Sequence, residues 1–395
     1  SQDMRLFFSR RIGLSSSGSA IPILGGTRLT GRQGDYSIGV LNIQQREESQ
    51  VPATNFTALR LRRDILANSD IGAILLNKDE AGTSFNRVAG VDANFRFRTA
   101  FTMNLYAAKT FSPQVVKPGS GQDIAARAAA QYQDVRWQFT ARRDAIGLRF
   151  NDEMGFVPRQ GVNNTYLYAG RRLRPRAVSR YIREIRPHWQ VDSFSRQENG
   201  GLESRYQDYH VLFTMQDGST MEPGINPNVE EIRVPFVINT SHDVKVNPGR
   251  YNFNEYFIFW NTSGAKRLSF NNRYSIGRFY DGYRRAYTFG PSVRLNENLN
   301  AALNVQVNDI DMPTGSFVST LVTGRLNYNF STKMFFNALL QYNTDSGQLS
   351  SNLRFNLIHH PLSDFFLVYN ERRDEHSGGL LDRAIVVKMT HMVQF

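Results

Sequence analysis

The chain has 395 residues, no cysteine and a formal net charge of +12, so disulfides and thiolate metal centres are excluded. Hydrophobic residues make up 41% and aromatics 12%, enough for an extensive apolar surface, yet no apolar run approaches the roughly 18 residues of a membrane helix. A soluble protein this basic would first point to nucleic acid; the strand pattern directs the charge elsewhere.

In chain order, MRLFFSRRI (Met4 to Ile12) reads as a first strand, preceded by no apolar signal region, which fits a mature or trimmed chain. GLSSSGSAIPILGG is glycine-rich but lacks the lysine and following helix of a phosphate loop, and reads as a loop entering a strand. Alternation of period two then repeats. TALRLRRD carries Arg60 and Arg62, VDANFRFR sets Val91, Ala93, Phe95 and Phe97 against Asp92, Asn94, Arg96 and Arg98, and FTMNLYAA sets Phe101, Met103 and Leu105 against Thr102, Asn104 and Tyr106. IAARAAAQY carries Arg127, and VRWQFTAR sets Val135, Trp137 and Phe139 against Arg136, Gln138, Thr140 and Arg142. The stretch 216–248, with three prolines in EPGINPNVEEIRVPF, holds a long loop or an irregular strand pair. Beyond it, YTFGPSVRLN, LNVQVN, VTGRLNYNF and LSSNLRFNL place Arg294, Asn304, Gln306, Arg325, Asn327, Arg354 and Asn356 on one face. The end, IVVKMTHMVQF, puts Ile385, Val387, Met389, Val393 and Phe395 on the other.

A soluble sandwich hides its apolar faces and uses strands of about five or six residues. These segments fit the roughly 9 to 11 residues of a transmembrane strand, apolar outside and polar within. The fold class expected is therefore all-β, a transmembrane antiparallel outer-membrane β-barrel of about 22 strands (18 to 24), forming a single domain over residues 1–395. Turn lengths agree with this topology. HHPLSD, STK, NENLN and TSGAK fall on one side; RRDEHSGGLLD, NTDSGQ, DIDMPTGS, FYDGYR and the longer upstream connections fall on the other. Short turns are periplasmic in such barrels, and an even count would place both termini there.

Several stretches resemble a known family. FFSRRIG (Phe7 to Gly13), IPILGGTRLTGRQGDYSIGVLNIQ (Ile21 to Gln44), RYNFNEYFIFWNTSGAKRLS (Arg250 to Ser269) and LSDFFLVYNERRD (Leu362 to Asp374) look like the barrel portion of the domain-of-unknown-function 5916 family. The resemblance covers nearly the whole chain. It implies a Gram-negative outer-membrane protein, usually with a carbohydrate-binding-module-family-9-like domain ahead of the barrel, which these residues do not contain. The final strand also resembles the sorting signal read by the barrel assembly machinery, which would make Phe395, Val393 and Met389 its assembly signal.

Motifs that carry chemistry are sparse. His359 and His360 are adjacent and so point to opposite faces, which suits a turn better than a metal. His188 and His210 lie on neighbouring segments with Asp192 and Asp208 nearby, a weak hint of hydrolysis; no DxDxDG or HExxH occurs, and no enzyme activity or cofactor is expected. The informative feature is arginine at inward positions: Arg60, Arg62, Arg96, Arg98, Arg127, Arg136, Arg142, Arg294, Arg325 and Arg354. On a lipid face each would cost roughly 2 to 4 kcal/mol at mid-membrane. Two readings stay open: the arginines pair with inward carboxylates such as Asp92 and Asp123, or they line an electropositive pathway. Function follows the same fork, an anchor or scaffold in an envelope complex, or a porin-like path for anionic or sugar-like solutes. The partners expected are the lipid bilayer and lipopolysaccharide, the assembly machinery, and a protein or amino-terminal domain filling the lumen, with no nucleic acid.

Overall fold

The computed structural model describes residues 4–15, 18–48, 51–82, 84–113, 121–375 and 378–392. Within them the alternating segments become strands: β1 (Ile23–Gln33), β2 (Tyr36–Gln45), β3 (Thr54–Ile65), β4 (Ser69–Glu80), β5 (Ser84–Phe97), β6 (Phe101–Phe111), β7 (Ile124–Gln133), β8 (Trp137–Ile146), β9 (Val162–Arg171), β10 (Ile182–Arg196), β11 (Leu202–Met215) and β12 (Thr220–Ile232). There follow β13 (Phe236–Asn239), β14 (Val244–Val246), β15 (Gly249–Asn261), β16 (Leu268–Phe279), β17 (Gly282–Arg294), β18 (Leu299–Met312), β19 (Gly315–Ser331), β20 (Met334–Asn343), β21 (Gln348–His360), β22 (Ser363–Asp374) and β23 (Leu380–Met389). Twenty-one strands belong to one sheet, and β13 and β14 form a separate hairpin. The count lies inside the expected range.

Contacts divide the chain into two compact units, Ser1–Arg171 with Trp189–Gln207, and Arg172–His188 with Asp208–Phe395. In the first unit the register carries one face from strand to strand. Gly39 faces Arg60, Arg62 faces Gly72, which faces Asp92, which faces Tyr106, which faces Arg127, which faces Asp144. Directly opposed residues share a side of the sheet, so these polar groups occupy a single face. The other face shows Leu29, Leu59, Leu75, Val91, Phe97 and Phe139 to the exterior. The second unit is built alike: Arg325 faces Ala302 and Leu339, Arg354 faces Asn337, and Leu303, Leu326, Leu340, Leu367 and Ile385 are exposed on the opposite side.

Aromatics gather on the apolar face beside the short turns, as interfacial rings do. Phe95, Phe97 and Phe101 are neighbours at 6.0 Å, and Trp137 stacks on Phe139 at 5.5 Å. Towards the long connections the same face turns charged. Arg87 lies over Phe85, Lys109 pairs with Asp123, and Glu371 binds Arg373 and Arg383.

Four expectations need correction. Met4 to Ile12 is not a strand, because three consecutive apolar residues, Leu6, Phe7 and Phe8, give it no single face. It makes an isolated bridge, Arg5 N–H to Phe156 O at 2.9 Å, and a 3-10 turn at Ser9–Arg11. Lost with it is the even count, since the sheet holds 21 strands among the described residues; the segment packs against connection 147–161 of its own unit. The stretch 216–248 holds one regular strand, β12, and the small β13–β14 hairpin. Finally, FYDGYR and DIDMPTGS close as tight turns at 280–281 and 313–314, while 172–181 is a long connection among the short turns.

At the long-loop end both polar faces become apolar and are covered. In the first unit Met4, Phe150 and Met154 are buried against Phe56, Leu76, Val88, Ala108, Ala125 and Ile146. In the second, Val244 and Val246 are buried against Ile310, Met312 and Phe317.

Candidate functional site

The polar face gathers most of the residues expected to act. Arg60 grips Asp92 through both terminal nitrogens, at 2.5 and 2.8 Å, and Arg62 reaches Asp70 at 2.5 Å. Asn94 Nδ2 donates to the same Asp70 at 2.8 Å and Asn104 Nδ2 donates to Asn94 at 2.6 Å, which links four strands. Arg127 donates to Asp144 at 2.5 Å, and Arg142 lies 3.2 Å from that carboxylate and donates to Asn164 at 3.1 Å. Asn164 in turn donates to Asp192. Planar guanidinium on carboxylate gives direction as well as strength; the more exposed Arg62–Asp70 pair contributes about 1 kcal/mol or less. Gly72 belongs to the ladder by subtraction, since a Cβ there would meet the Arg60 guanidinium at 2.8 Å.

The arginines therefore split. Arg60, Arg62, Arg127 and Arg142 are held by carboxylates. Asp123, expected to meet an arginine, pairs with Lys109 instead at 3.3 Å. Arg96 stands near the short-turn end and, with Arg98, Asn68, Thr102, Gln131 and Gln133, lines a cavity of about 570 Å³. Neither Arg96 nor Arg98 has a carboxylate partner among the described residues. Arg294 donates to Gly264 O at 3.3 Å, Arg354 lies 4.8 Å above the Phe366 ring, and Arg325 faces Ala302 and Leu339.

Two arginines expected on strands sit in turns. β5 ends at Phe97, which faces Phe101, so Arg98 opens the turn with φ of 53°. Arg136 donates its backbone N–H to Asp134 Oδ1 at 2.7 Å in the β7–β8 turn, where the aspartate side chain organises the backbone. Of the proposed assembly signal, Met389 closes β23 and is exposed beside Phe365, whereas Val393 and Phe395 lie outside the described residues.

His188 and His210 do meet, with ring centroids 5.0 Å apart. The third group with them is Glu222 of β12, whose Oε1 lies 3.5 Å from His188 Nε2 and 3.2 Å from His210 Nδ1. Asp208 Oδ1 is 3.9 Å from His210 Nε2, and Asp192 is taken by Asn164. Sequence reading missed Glu222 because Pro223 and Pro227 made its strand look irregular; its even spacing from Asn226 was the available signal.

No protein-family model matches the chain, and no curated protein matches it. Solved structures do. The siderophore receptor PirA from Pseudomonas aeruginosa aligns with a TM-score of 0.55 at 11% identity, over 90% of this chain and 73% of that one. PirA from Acinetobacter baumannii gives 0.52 at 10%, over 91% and 73%. A ferric enterobactin receptor mutant from Pseudomonas aeruginosa gives 0.51 at 10%, over 89% and 71%. At such identities the likeness concerns fold, and the chain has the fold of an antiparallel outer-membrane β-barrel.

Proposed function

We propose that the chain is a bacterial outer-membrane barrel, its apolar face against lipid and lipopolysaccharide and its short turns in the periplasm, and that its polar face forms a passage favouring anionic solutes. The observation that carries this reading is the division of labour among the arginines. In the first unit those in the middle of the face pair with carboxylates in a ladder, while Arg96 and Arg98 stand without a carboxylate partner among the described residues at the rim of a cavity. Rings of uncompensated charge set ion preference at close quarters. Structural neighbours whose printed names make them siderophore receptors support a transport role for the fold.

A second reading, the anchor or scaffold of a cell-envelope complex with a partner or an amino-terminal recognition domain in the manner of the 5916 family, is favoured by the covers. Met4 to Ile12 with connection 147–161, and the β13–β14 hairpin, bury the polar face's apolar end. Conductance of the purified protein in planar bilayers separates the two. Anion-selective steps that invert towards cations in the Arg96→Glu/Arg98→Glu double variant support the passage. Absence of conductance in both versions overturns it in favour of the scaffold.

A further inference from the structure

We propose that His188, His210 and Glu222 form a binding site for a divalent zinc-type transition-metal ion, a property separate from either a passage or an anchor. Among the described residues, these three are the group whose ligand atoms lie within 4.8 Å of one another. All three residues belong to one unit and stand on the consecutive strands β10, β11 and β12. Two ligands about 2.0 to 2.1 Å from a tetrahedral ion stand roughly 3.3 Å apart. The separations of 3.5 and 3.2 Å from Glu222 Oε1 to the two histidine nitrogens bracket that value.

The surrounding hydrogen bonds decide which nitrogens carry lone pairs. Glu255 is held by Arg273 at 3.3 Å and Arg284 at 3.4 Å, and accepts from Asn226 Nδ2 at 3.0 Å. That contact turns the Asn226 amide so that its Oδ1 faces His210 Nε2 at 2.8 Å, and an amide oxygen requires a donor there. In the neutral ring His210 Nδ1 is then the acceptor nitrogen, and it is the one facing Glu222, 3.2 Å away. For His188, Nδ1 donates to the Arg186 carbonyl at 3.3 Å, and Nε2 faces the same carboxylate oxygen at 3.5 Å. The two ring nitrogens and the carboxylate oxygen converge on one region, which a proton or a cation can occupy. Metal-ligating imidazoles are oriented in this way, with the far nitrogen donating to a fixed acceptor.

Packing holds the arrangement. A Cβ at Gly224 would stand 2.5 Å from His210 Cδ2 and 2.6 Å from the Phe257 ring, so glycine there makes the room that His210 occupies. Phe257 meets His210 edge-on at 4.6 Å. Of the three groups only Glu222 is a carboxylate, so the site disfavours magnesium or calcium, which need several oxygen ligands. Two imidazoles and one carboxylate suit zinc, cobalt, nickel or copper. Three protein ligands leave one position of a tetrahedral ion to water or another ligand.

The test is titration of the folded, detergent-solubilised, chelator-treated protein with cobalt(II) and then zinc(II). The expected result is one cobalt per chain with a visible d–d spectrum, displaced by zinc, and lost in His188→Ala and Glu222→Gln variants that keep the β-rich circular dichroism of the parent. Asn226→Ala, which leaves all three ligands, should weaken affinity about 10- to 100-fold. Absence of a cobalt spectrum in the parent overturns the proposal, with a shared proton then holding the three groups together. Unchanged stoichiometry and spectrum in a His188→Ala/His210→Ala variant overturns it equally, placing the ion elsewhere.

Discussion

At the scale of single residues, burial sets a pH dependence. Asp152 lies in connection 147–161 and is only 3% exposed; its Oδ1 accepts the Met154 N–H at 3.1 Å, while Oδ2 has no hydrogen-bond partner among the described residues. Burial pushes this carboxyl up to about 7, against the pull of the Met154 and Gly155 amides. A carboxyl raised above its unfolded value of 3.8 stabilises the packed loop fully below that value, and the contribution is lost as pH rises through about 7. Trypsin cleavage at Arg149 and Arg159, taken relative to cleavage of an unfolded peptide at the same pH, should therefore be faster at pH 8 than at pH 5, and Asp152→Asn should flatten the difference. Equal relative rates at both pH values in the parent would refute this. None of it was legible beforehand, because a loop aspartate reveals its burial only when connection 147–161 is seen packed, with Phe150 and Met154 in one buried cluster with Met4. The inward arginines were legible wherever a strand continued past them, since parity alone fixes a face. Arg98 and Arg136 escaped because turn boundaries depend on one or two dihedral angles that the alternation does not encode.

At the scale of elements, β12 shows how proline misleads. Pro223 and Pro227 are separated by an even number of residues, so both withdraw their missing N–H from the same edge of the strand. Pairing with β15 still runs unbroken from Thr220 opposite Asn261 to Ile232 opposite Gly249. Gly224→Ala should destabilise the β12–β15 pairing by about 1 to 3 kcal/mol through the clash with His210 and Phe257, read as a lower urea midpoint; an unchanged midpoint would show that the two rings can move aside. β5 offers a sharper contrast. Arg96 faces Thr102 on the polar side, while Phe95 and Phe97 stack at 6.0 Å on the apolar one. Replacing Arg96 with Glu should leave membrane insertion intact. Phe97→Arg should reduce the heat-modifiable, inserted fraction by the cost of a lipid-facing charge, up to roughly 2 to 4 kcal/mol at mid-membrane and less near the rim. Insertion of the Phe97→Arg protein alongside failure of Arg96→Glu would reverse the assignment of the two faces.

At the scale of the whole molecule, sidedness is the property to measure. Single cysteines at Gly347, Gly378 and Pro158, all in long-side connections, should react with an impermeant thiol reagent on intact cells. A cysteine at Ser363 would stay silent through burial alone, since that residue is fully buried and its Oγ accepts the Met392 N–H. Leu362, 67% exposed in the same turn, is the informative partner and should be protected until the outer membrane is opened. Labelling of Leu362 but not Gly347 on intact cells would invert the topology. The strand count and two-faced sheet were readable because a period of two survives any detail of packing. The covers were not, because Met4 to Ile12 and the β13–β14 hairpin owe their shape to what they touch. The charged end of the apolar face has a consequence of its own. Along β5 the outward residues run Phe97, Phe95, Ala93, Val91, Ala89 and then Arg87; along β22 they run Phe365, Leu367, Tyr369 and then Glu371 with its arginines. Those first charges act as a depth gauge, fixing how far each strand can sink before a guanidinium would leave water. At about 3.4 Å of rise per residue, the greasy band is shorter along β22 than along β5. The bilayer edge around this protein should accordingly be pulled thinner beside β22, where lipid phosphates can reach down to meet Arg373 and Arg383.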